Sequence, residues 1–222
     1  MTRLAFNSLQ RGIVVIACAA ASLCATLGEA RTIVLTEEDC TEMAVISSEA
    51  PRMSWAGTAN AQSEFGTNSI DLYKQSAFLI RYPLDRIPTG QRITRAEWLV
   101  PHQLVSPAGG ARLHVRRILA SWGAGVSFEN RMTRPQRLPW STQGARGVGI
   151  DRAAQPTAIA LIKGAGEQSF NVTQDVELWN SGVAGNHGWI VTLEDADTFA
   201  RLPSPLWSAP KGWKLRITFE PQ

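Results

Sequence analysis

Residues 168–194, QSFNVTQDVELWNSGVAGNHGWIVTLE, contain a strand, a short helix, a loop and a second strand in immediate succession. Phe170 and Val172 alternate with polar residues, which predicts one half-buried strand. After a loop of small residues, the apolar run at 188–193 predicts a second and more buried strand. The segment is therefore predicted to fold into a compact corner, around which the rest of the chain is organised.

The helix within this corner is short. Thr173 has a residue type that favours the N-cap, and Asp175 follows in the first turn, where a carboxylate suits the positive end of a helix. Val176 and Trp179 are three residues apart, so one helical turn places both on the same apolar surface. Gly182 then ends the turn, because glycine adopts positive φ without steric cost. Trp179 is therefore predicted to be a core side chain that plugs the corner.

The order of residues in this corner resembles that of secreted DNRLRE domains, which are related to carbohydrate-binding modules described for alginate-type polysaccharides. The matching residues are Phe170, Asn171, Val172, Thr173, Val176, Trp179, Gly182, Asn186 and Gly188.

Other segments resemble the family in the expected order. They are residues 77–82 and 96–99 as strands, Ser121-Trp122 with 128–131, Trp140 with 144–145 and 149–151, and 214–219 as the closing strand. Phe128 stands where the family usually has a second Trp. The resemblance spans residues 32–219 and implies a secreted β-sandwich that binds polysaccharide.

Short β-rich runs extend through most of the chain and are separated by clusters of Pro, Gly, Asn and Ser. The runs are 32–36, 43–46, 69–73, 77–82, 93–100, 113–119, 158–163 and 213–219. No run sustains helical periodicity beyond two turns. The pattern predicts an all-β fold, an antiparallel, jelly-roll-like β-sandwich with one short helical turn. Residues 31–222 are predicted to form a single domain.

Residues 1–30 have the composition of a signal peptide. Arg3 and Arg11 form the positive start, an apolar run follows, and small residues precede Arg31 at the predicted cleavage site. The apolar run is too short to predict a membrane span, so no transmembrane segment is expected in the mature chain. A secreted, extracellular or periplasmic protein is therefore predicted. The alternative is a lipid anchor on Cys18.

Net charge and cysteine content say little about partners. Cleavage lowers the formal charge from +3 to +2, with 20 basic against 18 acidic side chains, and no nucleic-acid partner is expected. Cys40 is then the only cysteine left, so no internal disulfide is predicted. Its side chain is predicted to be a small buried hydrophobe, and an intermolecular bridge is the less favoured alternative.

The local charge pattern is more informative. Residues 112–152 contain Glu129 and Asp151 as their only acids and eight arginines: Arg112, Arg116, Arg117, Arg131, Arg134, Arg137, Arg146 and Arg152. The planar guanidinium suits carboxylate and sulfate oxygens, so these arginines predict an anionic ligand if they share a face. The alternative is an ordinary solvated surface.

Three tryptophans lie in loop-like settings and are candidates for stacking on sugar rings. They are Trp140, beside the arginines, and Trp207 and Trp213 in a second Pro-rich region. For each, the alternative is that the ring caps the end of the sandwich. Trp98, Trp122 and Trp179 are predicted to be core residues, and Trp189 to be half buried. The candidate ligand-binding set is Trp140, Arg131, Arg134, Arg137, Arg146, Trp207 and Trp213.

No catalytic or cofactor motif is recognisable. His102, His114 and His187 are scattered and do not have the spacing of zinc ligands. His114, Arg116 and Tyr82 are the types found in lyase sites, but nothing in the sequence connects them. No cofactor is predicted; a structural calcium is an option, with weak candidates Asp39, Asp151 and Asp175.

Three functions follow from these observations. The first is a secreted, non-catalytic carbohydrate-binding module, for an acidic polysaccharide. The second is a structural or adhesive module of the cell surface or matrix that binds a protein. The third is a small polysaccharide lyase or hydrolase, because the separation of paired carboxylates is a three-dimensional property.

Overall fold

The computed structural model describes residues 29–57, 69–73, 75–195, 197–205 and 212–222. Within these residues the elements are β1 (Arg31–Thr36), a 3₁₀ turn (Glu37–Asp39), β2 (Glu42–Ile46), β3 (Trp55–Gly57), β4 (Ser69–Tyr73), β5 (Ala77–Arg81), β6 (Gln91–His102), β7 (Leu104–Ser106), β8 (Ala111–Arg117), β9 (Asn130–Met132), β10 (Leu138–Pro139), β11 (Ala158–Ile162), β12 (Gly166–Asn171), α1 (Thr173–Asn180), β13 (Trp189–Leu193), β14 (Phe199–Pro203) and β15 (Lys214–Pro221). The prediction of an all-β fold with one short helix is confirmed.

Two large antiparallel sheets form the sandwich. One has four strands in the order β1-β15-β6-β12, and the other has six in the order β11-β8-β13-β5-β2-β3. A three-stranded sheet, β4-β14-β7, and the β9–β10 hairpin complete the fold. The neighbours are largely non-consecutive in the chain, so most of the pairing is long-range.

The space between the large sheets is filled by aromatic side chains. Trp98 of β6 stacks on Trp189 of β13 with ring centroids 5.4 Å apart, and Trp189 meets Trp179 of α1 at 4.7 Å. On the other side Trp98 meets Trp213 at 5.7 Å, and Trp213 meets Phe78 at 5.2 Å. These rings are all buried, so the corner and the two sheets share one continuous core.

Helix α1 holds the corner as the sequence predicts, although it is two turns long rather than one. Val176 and Trp179 are both buried, and Gly182 follows the helix with φ of +72°. The assignment of Thr173 as the N-cap is wrong. Val172 occupies that position, and the Thr173 hydroxyl accepts the Ala96 N–H of β6 at 2.8 Å. That amide needs a partner because β12 has already ended.

The loop after α1 closes against β5 through two matched residues. The Asn186 side chain donates to the Tyr82 carbonyl at 2.8 Å and accepts the Gly188 N–H at 3.1 Å. Gly188 has φ of +76°, and a Cβ there would lie 2.1 Å from the Ile80 carbonyl oxygen. Any side chain at Gly188 would therefore separate β13 from β5.

A third layer lies outside the six-stranded sheet. Residues 118–157, here called the covering segment, contain the β9–β10 hairpin and bring apolar side chains onto the sheet. Trp122, Phe128 and Trp140 of this segment are buried in one cluster with Leu79 of β5 and Ile190 of β13. Strands β5 and β13 are therefore buried on both faces, which explains why their sequences are almost continuously apolar.

Two further expectations concern burial. Cys40 is buried, as predicted, and burial raises the pKa of its thiol. Trp189 is fully buried rather than half buried, because α1 covers it and its Nε1 donates to Asp175 at 2.8 Å. Among the residues that the structure describes, no helix is long and apolar enough to span a bilayer.

Candidate functional site

The outer face of the six-stranded sheet divides into two halves. The covered half lies beneath the covering segment and consists of Ala44, Ile46, Ala77, Leu79 and Ile190. The open half lies on the other side of the same face and consists of Arg112, His114, Arg116, Ile159, Leu161, Thr192 and Glu194. The open half carries the largest group of charged side chains on this face, and we take it as the candidate site.

Strand β8 supplies the centre of the open half by simple alternation. Leu113 and Val115 point into the core, so Arg112, His114 and Arg116 point outward. The sequence alone contains this signal, since R-L-H-V-R alternates within a predicted strand. The opposing groups on β13 were not recognisable, because the register His114 to Thr192 is a tertiary property.

One carboxylate lies between two guanidinium groups in the open half. Arg116 donates from Nη1 to Glu194 Oε1, and Arg152 Nη1 from the covering segment lies 3.6 Å from the same oxygen. Arg112 is paired at 3.5 Å with Asp195. With Arg146 close to Arg152, four arginines face two carboxylates, so the open half has excess positive charge.

Partial burial makes the uncompensated positive charge of this site costly to maintain. The pKa of Arg152 is lowered, first by burial and then by the neighbouring Arg116, and its Nε has no hydrogen-bond partner among the described residues. Arg116 is only 9% exposed. The pKa of His114 is also lowered, mainly by burial. The site therefore has concentrated, fixed positive charge beside an imidazole that is neutral at pH 7.

Aliphatic side chains flank the charged groups. Ile159 and Leu161 of β11 are 50% and 51% exposed and lie directly opposite His114 and Arg112. Val148 and Ile150 of the covering segment are 61% and 64% exposed, close to the end of β8. The open half is thus a cationic surface with an apolar border.

The predicted aromatic platform is wrong for Trp140. Its ring is 4% exposed in the cluster beneath the covering segment, and its Nε1 donates to the Ser127 carbonyl at 2.9 Å. Trp213 is fully buried and donates to the Pro203 carbonyl at 2.9 Å. Both rings are therefore buried core side chains and are not exposed for stacking on a sugar ring. Trp207 lies outside the described residues.

The eight arginines do not share one face. Of the four candidates, Arg146 alone joins the open half, through its proximity to Arg152. Arg131 donates to the Ser121 carbonyl at 2.6 Å, while Arg134 and Arg137 are exposed between β9 and β10. That hairpin lies toward β2, since the Glu129 N–H donates to the Pro51 carbonyl. Arg134 and Arg137 therefore lie on the β2 side of the covering segment and not among the residues of the open half.

Arg131 belongs to a second polar group at the end of the covered half. There the Arg81 guanidinium pairs with Glu42 at 2.7 Å. Burial, Arg81 and Arg131 together lower the pKa of His187, and burial raises the pKa of Glu42. This group has one ion pair and one additional arginine, so its excess charge is smaller than that of the open half.

The calcium candidates do not come together. Asp39 accepts the Thr36 N–H and pairs with Arg86, and Asp175 accepts Trp189 and Thr157. The carboxylate of Asp151 accepts four donors, namely the backbone N–H groups of Ser141, Thr142 and Gly147 and the Ser141 hydroxyl. In the part of the chain that the structure describes, no three acidic, His or Cys side chains form a metal-binding group.

The lyase-like set is separated by the sheet itself. His114 and Arg116 lie on the outer face, whereas Tyr82 is buried in the core between the large sheets. Burial raises the pKa of the Tyr82 hydroxyl well above its ordinary value. These three side chains therefore cannot act on one substrate.

Two other surface features are polar or aromatic. An open cleft of about 590 Å³ lies beside α1 and is lined by groups such as Gln91, Gln174, Glu177 and Asn180. On the three-stranded sheet, Tyr73 and Phe199 are 6.2 Å apart, with the Arg201 guanidinium 5.6 Å from the Phe199 ring. Arg201 is held by Asp71 through two bonds of 2.7 Å, so neither feature has excess positive charge.

No protein-family model matches this chain, and a search of curated proteins finds no relative.

Proposed function

We propose that the protein is a secreted, non-catalytic module that binds an acidic polysaccharide, and that the open half of the six-stranded sheet is its binding face. The observation that carries the proposal is the sharing of one Glu194 oxygen by Arg116 and Arg152. Two cations with one counter-charge leave a positive charge that a ligand carboxylate or sulfate can neutralise.

The arginines of this face are well prepared for an anion. Arg116 is largely buried and Arg152 is partly buried, so both side chains lose little conformational freedom on binding. The low-dielectric surroundings also strengthen each charge–charge contact relative to one in bulk water. An anion that reaches these groups is therefore bound more firmly than at a fully exposed arginine.

The spacing suits a polymer better than a single small anion. Arg112 and Arg116 are four residues apart on one strand, which separates their Cα atoms by about 13 Å. Beside them, Ile159 and Leu161 provide exposed apolar area for the C–H faces of sugar rings. A chain with repeated acidic groups can contact both arginines and this border at once.

Affinity electrophoresis on alginate, pectate and neutral glucan tests the ligand class. We expect retardation by the two acidic polymers and none by the glucan, with clear weakening as salt rises, because exposed charges are screened beyond about 10 Å at 0.1 M salt. Equal mobility in all three gels would contradict the proposal.

A protein partner is the second candidate, and the exposed aliphatic border favours it. Ile159, Leu161, Val148 and Ile150 form more exposed apolar surface than a purely ionic site needs. An adhesive module would show no retardation by any glycan and would be captured by matrix or cell-surface protein. A lyase or hydrolase would instead shorten the polymer, which viscosity measurements detect.

Export is part of the proposal and has its own test. The predicted mature chain begins at Arg31, so the intact mass of the exported protein should correspond to residues 31–222. A mass that includes residues 18–30 and acyl chains would indicate a lipid anchor on Cys18 instead.

A further inference from the structure

Strand β11 is an edge strand whose free side is unusually suited to pairing. The sheet order places β11 next to β8 alone, and no strand among the described residues pairs with its other side. Its sequence, AIALI, contains no charge and no proline, the devices by which edge strands usually avoid association. The opposite edge of the same sheet is protected differently, because β3 is only three residues long.

Other edges of the large sheets carry polar or charged residues. Strand β12 has the sequence GEQSFN, and β1 begins with Arg31. In β11, by contrast, Ile159 and Leu161 are about half exposed on one face of the strand. The backbone and the side chains of this edge are therefore both ready for a partner strand.

We propose that β11 pairs antiparallel with β11 of a second copy of this chain, about a two-fold axis at Ala160. This register is self-complementary. It places Ile159 opposite Leu161 of the second copy, twice, and opposite residues in an antiparallel pair share a face. It also places Lys163 opposite Thr157 of the second copy, so no like charges meet. An isologous contact of this kind closes as a dimer, because it uses the free edge of β11 in both copies.

The pairing joins two six-stranded sheets into one sheet of twelve strands. The two copies of β8 are then three strand spacings apart, about 14 Å. Both open halves lie on the same face, so the arginines of the two β8 strands flank a shared aliphatic band of Ile159 and Leu161 from both copies. The dimer itself does not depend on the proposed function. Its effect on binding rests on that function, because two linked sites raise the apparent affinity for a polymer that contacts both.

Charge-swap variants test the pairing. The variant with Ile159→Lys and Leu161→Lys places four ammonium groups together in the dimer, and the variant with Ile159→Glu and Leu161→Glu places four carboxylates there. Sedimentation equilibrium should give twice the monomer mass for the wild type and the monomer mass for each variant. An equimolar mixture of the two variants should return to twice the monomer mass, since every Lys then faces a Glu.

A matched control is available on the covering segment. Val148→Lys with Ile150→Lys changes two exposed aliphatic residues outside β11, and this variant should remain dimeric. Near-ultraviolet circular dichroism confirms that each variant is folded. A monomeric wild type overturns the proposal, and so does a dimeric lysine variant or a mixture that fails to associate. Retention of the wild type on alginate is measured separately, because Ile159 and Leu161 belong to the proposed binding face. Retention by a wild type that is monomeric would show that the binding proposal survives the failure of the dimer.

Discussion

The two halves of one sheet face meet along single rows of neighbouring residues. One row runs from Ile159 and His114 through Thr192 to Ala77 and Ile46. At its β11 end the row is exposed at Ile159, whereas at its β2 end it lies beneath the tryptophans of the covering segment. The strands are continuous across this boundary, so the sheet does not determine which half is a site. The covering segment determines which half is a candidate site, because only the part of the face that it leaves uncovered can reach a ligand.

This contrast explains how Arg and Trp residues that are mixed in the sequence separate in space. Residues 131–146 contain four arginines and one tryptophan. The tryptophan turns inward onto Leu79 and Ile190, while the arginines remain at the surface, because transferring an unpaired guanidinium into the cluster would be far more costly. Proximity in sequence to a tryptophan is therefore a poor guide to an aromatic binding platform.

The largest expected effect comes from the covered half. Trp140→Ala should lower the free energy of unfolding by about 3–5 kcal/mol, because it removes a buried ring and leaves a cavity. Urea denaturation measures this, with Trp140→Phe as the control of smaller effect. An unchanged unfolding curve together with lost retention on alginate would return Trp140 to the ligand-binding set.

A somewhat smaller effect is expected at the carboxylate that fixes the covering segment. Asp151→Ala removes the acceptor of Ser141, Thr142 and Gly147 donors, and should cost about 3 kcal/mol through unsatisfied buried groups. Asp195→Ala, an exposed carboxylate of the other half, should change stability by less than about 0.5 kcal/mol. Equal effects of the two variants would show that the covering segment is not held in this way.

The sequence predicts the fold better than the site because the two depend on different information. Alternation and turn residues are local, so most strands and the corner around Trp179 could be predicted. The strands β3, β7, β9 and β10 could not, since two or three residues carry too little periodicity, and β14 was also missed. The burial of Trp140 depends on β5 and β13, and the Arg116–Glu194 pair depends on the register between β8 and β13. Neither the strand register nor the position of the covering segment can be predicted from a local sequence pattern.

The likeness to DNRLRE domains stays a prediction.

The two halves also each contain a histidine that should sense pH. His114 lies in the open half, and His187 lies beside Trp122, whose Nε1 donates to the His187 carbonyl. Burial is the main cause of the lowered pKa of both imidazoles. At a pH between the lowered pKa of each histidine and the ordinary pKa near 6.5, the unfolded chain binds a proton that the folded protein does not.

Stability from the neutral imidazoles is therefore fully present above about pH 6.5 and is lost as pH falls through the folded-state values. Unfolding free energies from about pH 7.5 to about pH 5.5 should decline for the wild type. His114→Gln and His187→Gln should each make the decline less steep, and the double variant should have the flattest profile. If neither variant alters the decline in unfolding free energy, other titratable groups cause it.

The most direct test of the account compares two pairs of arginines that carry the same charge. Arg116→Gln with Arg152→Gln changes the open half, and Arg134→Gln with Arg137→Gln changes the exposed β9–β10 hairpin. Affinity electrophoresis on alginate at two salt concentrations measures both variants, with urea denaturation to confirm folding. We predict that the first variant binds about tenfold more weakly or worse, and that the second retains wild-type retardation. Equal losses, or a loss confined to the second variant, would contradict the claim that the open half is the binding face.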